Sequence, residues 1–132
     1  MRTTHFEITR EWEHALAEPE CPCHLLLLAC DGEEPVGWCR VFPTEMTGEA
    51  EISIGLLPPY RDRGLGTRML RQAIEWARGQ GLGRLILTVR DDNHRAIHVF
   101  AKCGFVPTGQ EEGRWIEMAL PLSNTVAEER LL

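Results

Sequence analysis

Apolar and polar positions alternate in the first half of the chain in a way that predicts β-strands. THFEIT alternates and predicts a first strand, and a short helix is expected over about Arg10 to Glu18, ended by Pro19. HLLLLAC and VGWCRVF predict two further strands, joined by the turn-forming residues DGEEP. EAEISIGLL predicts a fourth strand that places Glu51 and Ser53 on the face opposite its isoleucines.

The clearest helical pattern follows that strand. Apolar residues recur at helical spacing at Leu65, Met69, Leu70, Ala73, Ile74, Trp76 and Ala77, and Gly79 and Gly81 provide a stop. RLILTV, residues 84 to 89, is a continuous apolar run of the kind expected for a central strand covered on both faces. Strand, helix and strand in this order predict a parallel crossover unit.

The last third of the chain predicts a second helix and two closing strands. Asn93 is expected to cap the helix, and Gly104 to end it in the left-handed conformation. FVPTG and WIEMAL then predict two strands around the turn QEEGR. Residues 121–132 carry little pattern and are expected to form a loose tail or a marginal helix.

Composition adds limits to this α/β fold. The 132 residues fit one domain, 1–132, with 43% apolar and 26% charged residues, close to globular averages. No signal peptide or membrane span is visible, so a cytoplasmic protein with no membrane partner is expected. The formal net charge of −6 argues against nucleic acid as a partner.

The five cysteines are odd in number and irregularly spaced, which favours reduced thiols over a disulfide framework. CPCH, residues 21–24, is the single metal-like cluster. Because no second pair with ligand spacing accompanies it, a loop with incidental thiols is favoured over a zinc site, and no metal is expected.

The stretch PPYRDRGLGTRML, residues 58–70, concentrates positive charge and glycines directly before the first helix. The start of a helix presents unpaired N–H groups to anions, and Gly64 and Gly66 allow close approach of a diphosphate. Arg61, Arg63 and Arg68 would add charge, and Thr67 a hydroxyl; alternatively, the glycines only turn the chain and the arginines are solvated. Neither the dinucleotide fingerprint nor the P-loop fits this spacing.

Two segments resemble the signatures of a known family. RDRGLG resembles the R/Q-x-x-G-x-G/A loop of the GCN5-related N-acetyltransferases, and NHRAIHVFAKCGF resembles their second signature, N-x-x-A-x-x-x-Y-x-K-x-G-F. The resemblance covers about residues 36 to 120. It implies a GNAT-like acyl-CoA N-acyltransferase fold, in which a mostly antiparallel central sheet carries one splayed parallel pair and is flanked by helices.

The resemblance also implies an acetyl-CoA site. The main chain of the loop would cradle the pyrophosphate, through Arg61, Asp62, Arg63, Gly64, Leu65, Gly66 and Thr67. The pantetheine arm would lie where the strands ending at Leu57 and Val89 splay apart. Main-chain groups of Leu56 and Leu57 would pair with it or polarise the thioester carbonyl, and Asn93 would face the coenzyme, cap its helix, or do both.

Acetyl transfer to an amine needs a base, because an alkylammonium with a pKa of about 10.4 is almost fully protonated at neutral pH. Glu51 is the first candidate, and a solvated strand glutamate is the competing interpretation; Glu49 and a water chain stay open. The tyrosine that the family uses to protonate the departing thiolate is replaced here by Phe100, whose ring has no proton to give. Water, Cys103, His98 or a group of the substrate would then take its role, or catalysis would be slow or absent.

The sequence thus predicts an acetyl-CoA-dependent N-acetyltransferase that acts on a primary amine by direct attack in a ternary complex. The alternative is a catalytically weak or inactive acyl-CoA-binding sensor of the same fold. A small-molecule or peptide amine is the expected acceptor, and the chain is expected to be a monomer or a homodimer.

Overall fold

The alternating segments of the sequence form one mixed sheet of seven strands in the order β1-β2-β3-β4-β5-β7-β6. The structure, a computed structural model, describes residues 6–13 and 24–122. The strands are β1 Phe6–Glu13, β2 Leu25–Asp31, β3 Glu34–Pro43, β4 Glu49–Leu56, β5 Arg84–Arg90, β6 Val106–Glu112 and β7 Trp115–Pro121. The helices are α1 Leu65–Gly79 and α2 His94–Lys102, and Pro58–Tyr60 form a 3-10 turn.

Every neighbouring pair of strands is antiparallel except β4 and β5, as the predicted crossover requires. The parallel ladder is short and joins only residues 49–51 of β4 to residues 84–86 of β5. β4 continues to Leu56 and β5 to Arg90 without further pairing to each other, so the two strands leave a gap between their carboxyl ends.

One face of the sheet carries the hydrophobic core. Its buried side chains include Leu27, Val41, Ile52 and Leu85, and they pack with the apolar stripe of α1 predicted from the sequence. Phe100 of α2 joins the same core. The opposite face carries the alternate positions of each strand, and its partly exposed side chains include Trp38, Glu51 and Thr88.

Gly37 of β3 is tightly packed against β4 and against Met69 of α1. A Cβ atom added there would lie 2.5 Å from Leu56 Cδ2 and 3.0 Å from the carbonyl oxygen of Gly55. We expect Gly37→Ala to lower the free energy of unfolding by about 1–3 kcal/mol through overpacking. In Gly79→Ala, the matched control at the end of α1, the added atom meets nothing within 4 Å, so stability is unchanged or rises slightly. Urea denaturation measures both, and equal stabilities would contradict the close packing.

The helix predicted from Arg10 is wrong over its first turn, because residues 10–13 continue β1. The ladder with β2 extends to Glu13, with an irregularity between Arg10 and Trp12. The carboxylate of Glu13 accepts a hydrogen bond from Trp76 Nε1 at 2.6 Å, which ties the strand end to α1 and lowers the pKa of Glu13. Long-range pairing therefore outweighs the local pattern; residues 14–18 lie outside the described residues.

Two predictions for the later strands need correction. RLILTV is covered on one face only: Leu85, Leu87 and Val89 are buried, whereas Thr88 on the other face is exposed. The turn predicted as QEEGR is shorter, since β6 extends to Glu112 and β7 begins at Trp115. Cross-strand pairing thus continues closer to the turn than its polar residues suggested.

The first two residues of the predicted tail, Pro121 and Leu122, belong to the fold. Pro121 ends β7, and the buried Leu122 donates its N–H to the carbonyl oxygen of Gly83 at 2.8 Å. Residues 123–132 lie outside the described residues.

The cysteines and the helices can be compared with expectation in part. Cys21 and Cys23 lie outside the described residues. In the described part, Cys30 and Cys103 are free thiols. Neither helix there has the length and apolar character that a membrane span needs.

Candidate active site

The charged turn forms the connection between β4 and α1. Pro58 and Pro59 end β4 and enter the 3-10 turn, because proline cannot donate a ladder hydrogen bond. Two residues then adopt left-handed backbone conformations, Asp62 with φ of 62° and Gly64 with φ of 79°. Gly64 is the N-cap of α1, and glycine suits this position because a side chain disfavours positive φ.

The first turn of α1 presents free main-chain donors. No side chain caps the helix within the described residues, and the N–H of Arg68 donates to the carbonyl oxygen of Gly64 at 3.1 Å. The preceding N–H groups, those of Leu65, Gly66 and Thr67, have no partner inside the helix. Together with the helix dipole, they form a favourable position for an anion.

These donors border a cavity of about 250 Å³ between the two helices and the end of β4, named here the α1–α2 cavity. Its wall combines the loop and the first turn of α1 with residues of β4 and α2. The lining residues are Ile54, Gly55, Leu56, Arg61, Asp62, Gly64, Gly66, Thr67, Leu70, Asn93, Arg95, Ala96, Val99 and Phe100.

Only one of the three arginines singled out in the sequence lines this cavity. Arg61 does, and its Nε donates to the carbonyl oxygen of Leu56 at 3.3 Å. Arg63 instead stacks over the ring of Tyr60 at 5.6 Å, and Arg68 reaches back to β1. Sequence reasoning missed Arg95, which enters from α2 two residues after Asn93, inside the second signature.

Arg95 connects the two walls of the α1–α2 cavity. Its Nε lies 3.2 Å from Asp62 Oδ1, so an ion pair joins α2 to the loop. Both side chains are more than half exposed, which limits the contribution of this pair to stability. Leu65, in contrast, is buried in the core and contributes only main chain to the turn.

The end of β4 directs main-chain groups into the gap between β4 and β5. Leu57 donates its N–H to Val36 on β3 at 2.9 Å, and its carbonyl oxygen accepts from Tyr60. Because antiparallel pairs alternate, the N–H and carbonyl of the preceding Leu56 point away from β3, toward the gap. The N–H of Leu56 is therefore placed to pair with a ligand there, whereas its carbonyl oxygen already accepts from Arg61 and both main-chain groups of Leu57 are occupied.

Asn93 and Phe100 lie where the α1–α2 cavity meets a second cavity. Asn93 caps α2 as predicted, since its Oδ1 accepts from the N–H of Ala96 at 3.2 Å. Its amide nitrogen remains available as a donor. Phe100 is buried and packs edge to face with Phe105, with ring centroids 6.1 Å apart. Both residues line the two cavities.

The second cavity, about 280 Å³ in volume and named here the Glu51 cavity, lies in the gap between β4 and β5. Its lining residues are Glu51, Ile52, Ser53, Ile54, Leu87, Thr88, Val89, Arg90, Asn93, Ala96, Phe100 and Trp115. The sequence did not predict that Ser53, Thr88 and Trp115 lie at this site. Thr88 was missed because the apolar run of β5 predicted a strand covered on both faces.

Among the described residues, Glu51 is the one carboxylate that lines this cavity. Partial burial, followed by the negative charges of Glu117 and Glu49, raises its pKa above the ordinary value. Glu49 does not line the cavity: its carboxylate lies 3.4 Å from Arg84 Nε and accepts a hydrogen bond from Thr44 at 2.9 Å. Of the two glutamates considered, Glu51 is the one whose side chain lines the cavity.

Neither of the side chains considered as a replacement acid, His98 and Cys103, lines either cavity, and Tyr60 does not line them either. The hydroxyl of Tyr60 donates to Asp31 at 3.1 Å, and this hydrogen bond raises the pKa of Tyr60. His98 is exposed on α2, and Cys103 lies just beyond the end of that helix. Phe100 occupies the junction itself, so the described residues place no tyrosine, cysteine or histidine beside the gap.

Residues 2–105 match the model of the acetyltransferase (GNAT) family. Among curated relatives, the chain is 35% identical over 82 residues to a mycothiol acetyltransferase of Corynebacterium glutamicum, a match covering 61% of this chain and 27% of that protein. It is 30% identical over 108 residues to the peptidyl-lysine N-acetyltransferase YjaB of Salmonella typhimurium, covering 82% and 66%. The matches thus span between about a quarter and two thirds of these relatives.

Solved structures show the same fold. The PaiA N-acetyltransferase of Thermoplasma acidophilum, determined in complex with coenzyme A, superposes with a TM-score of 0.66 at 21% identity, covering 73% of this chain and 59% of that one. The mixed sheet with one splayed parallel pair, predicted from the resemblance, is confirmed by the strand order and ladders. Fold, family match and signature segments agree, and the chain belongs to the acetyltransferase (GNAT) family.

Proposed function

We propose that this protein transfers the acetyl group of acetyl-CoA to a primary amine by direct attack in a ternary complex. The observation that carries the proposal is the junction of the two cavities. The Glu51 cavity lies between β4 and β5, the α1–α2 cavity lies between the end of β4 and the two helices, and the two cavities share Ile54, Asn93, Ala96 and Phe100. A thioester in this gap is accessible to the coenzyme from one side and to an acceptor from the other.

The loop would hold the diphosphate of the coenzyme. The N–H groups of the first turn of α1 supply donors, Gly64 allows close approach, and Arg61 and Arg95 supply positive charge at the cavity wall. The apolar side chains of β4 and α2 then line the path of the pantetheine arm, and the N–H of Leu56 offers it a hydrogen bond. No metal is needed for this chemistry.

Glu51 would accept the proton of the attacking amine, directly or through water. Its raised pKa brings it closer to neutral pH, which makes it a better base than an ordinary glutamate. The carbonyl carbon of the thioester gains the amine nitrogen and loses the thiolate of coenzyme A, and the nitrogen releases its second proton to water as the amide forms. The proton held by Glu51 leaves to solvent, so the carboxylate is ready for a second turnover.

The departing thiolate needs no acid from the protein, because a thiol has a pKa of about 8.5. The variant Phe100→Tyr places a hydroxyl at the junction without changing the ring. We expect it to change kcat by less than about threefold, since protonation of the thiolate does not limit the rate. Steady-state kinetics measures this, and a much larger gain would show that the missing hydroxyl limits catalysis.

Purified protein incubated with acetyl-CoA and a panel of amines tests the proposed function, with release of free thiol as the readout. The panel includes amino acids, peptides, polyamines and amino sugars. The second candidate, an acyl-CoA-binding sensor, is suggested by Phe100 at the junction. A sensor would give heat with acetyl-CoA in calorimetry but release no thiol with any amine above the rate of hydrolysis.

A further inference from the structure

Arg40 lies beside the Glu51 cavity, on the same face of the sheet as Glu51. In the ladder between β3 and β4, Arg40 pairs with Ser53 and Phe42 pairs with Glu51. Alternate residues of a strand share a face, so Arg40 and Glu51 are diagonal neighbours on one face. Such neighbours are roughly 7–8 Å apart, a separation that one small molecule can span.

Two aromatic rings hold the guanidinium of Arg40. It lies 4.8 Å from the ring centroid of Trp38 and 6.0 Å from that of Phe42, the residues on either side of it on this face. Stacking uses the flat surface of a guanidinium and leaves its N–H donors, which point outward in its plane, free to bind an anion. The side chain is therefore positioned without its hydrogen-bonding capacity being used.

The two arginines that β5 places on this face already form ion pairs with carboxylates. Arg84 lies between two glutamates, at 3.4 Å from each, and Arg90 pairs with an aspartate at 3.1 Å. Arg40 is exposed and forms no ion pair with the carboxylates in residues 6–13 and 24–122. It is thus a fixed positive charge with an open position for a carboxylate.

We propose that Arg40 binds the carboxylate of the acceptor, and that the acceptor is therefore an amine that also carries a carboxylate, of the amino-acid class. The inference rests on the proposed function, because it assumes that Glu51 receives the amine. Glu51 would then face the amine and Arg40 the carboxylate of the same molecule. A polyamine or an amino sugar would instead bring further positive charge toward Arg40 and be repelled.

The test compares acceptors that differ only in the carboxylate. Two triplets serve: leucine, leucinamide and isoamylamine, and phenylalanine, phenylalaninamide and phenethylamine, with spermidine and kanamycin as cationic acceptors. We expect a lower KM for the acid than for its amide and amine. Arg40→Ala should raise the KM of the acid about 10- to 100-fold, as expected for loss of a charged hydrogen bond, and leave that of the amine nearly unchanged.

Arg40→Lys should restore part of the lost affinity, and Arg71→Ala, which removes an exposed arginine of α1, should have no effect. The inference is overturned if the wild type prefers the amides, the amines or the cationic acceptors, or if Arg40→Ala raises the KM of all members of a triplet alike. Thiol release from amines alone would overturn only this inference. No release from any acceptor, with coenzyme binding intact in calorimetry, would overturn the proposed function as well.

Discussion

Replacing Glu51 by glutamine is expected to lower kcat by about 100- to 10,000-fold while leaving the Kd for acetyl-CoA unchanged. The magnitude is that of a lost general base, and glutamine keeps the size and most of the contacts of the side chain. Glu51 lines the Glu51 cavity and not the α1–α2 cavity, so the proposed path of the coenzyme is not altered. Stopped-flow or steady-state thiol release measures kcat, and calorimetry measures the Kd.

The pH dependence provides a second readout for the same variant. In the wild type, kcat/KM should rise with pH as Glu51 loses its proton, and this limb should disappear in Glu51→Gln. Glu49→Gln is the matched control, because Glu49 pairs with Arg84 outside the cavity. A variant of Glu51 that keeps full activity would assign proton removal to water instead.

The stability of Glu51→Gln should change in the opposite direction to its activity. Burial and neighbouring carboxylates raise the pKa of Glu51 in the folded protein above the 4.5 of an unperturbed glutamate. With respect to this group, folding is most favourable below about pH 4.5 and becomes less favourable as pH rises through the folded pKa. Glutamine removes that decline, so at neutral pH the variant should be at least as stable in urea denaturation as the wild type.

Gly64→Asp is expected to weaken acetyl-CoA binding at least about 30-fold relative to Gly64→Asn. Both side chains tolerate the positive φ of this position better than other residues, and a Cβ added there meets no atom within 4 Å. The two variants differ by one negative charge beside the proposed diphosphate. For charges about 8 Å apart at an effective dielectric constant of about 20, the repulsion is about 2 kcal/mol.

Isothermal titration of both variants with acetyl-CoA measures the ratio of their Kd values. The ratio should fall as salt is raised, because screening weakens the repulsion between exposed charges. Equal affinities in low salt would mean that no anion sits at the start of α1, and the placement of the diphosphate would be wrong. The free energy of unfolding of the two variants should agree closely, which excludes a folding defect as the cause.

Local chemistry was sufficient to predict the glycine-containing turn before α1 and the cap of α2. Gly64 and Asn93 are needed where the chain turns into a helix, and each such requirement depends on a few neighbouring residues. The alternation of apolar and polar residues in β4 likewise predicted which face of the sheet carries Glu51. These features do not depend on which distant segments meet.

The errors concern features that distant segments decide. Arg10 begins no helix because β2 extends the sheet alongside it, and the exposure of Thr88 depends on the absence of a helix over that face within the described residues. Arg95 reaches the cavity only because α2 folds back toward the loop. The position of Arg40 beside Ser53 follows from the register of a hairpin, which the sequence specifies only once both strands are aligned.

The short parallel ladder between β4 and β5 divides the sheet into two antiparallel plates, one of four strands and one of three, that meet along a strip three residues wide. Beyond the strip, main-chain groups of β4 face the gap instead of a neighbouring strand. A molecule bound there contacts both plates and can take the place of the hydrogen bonds that β4 and β5 do not form with each other. Occupancy of the gap and cohesion of the sheet are therefore thermodynamically linked, so that anything bound between the plates also fastens them together.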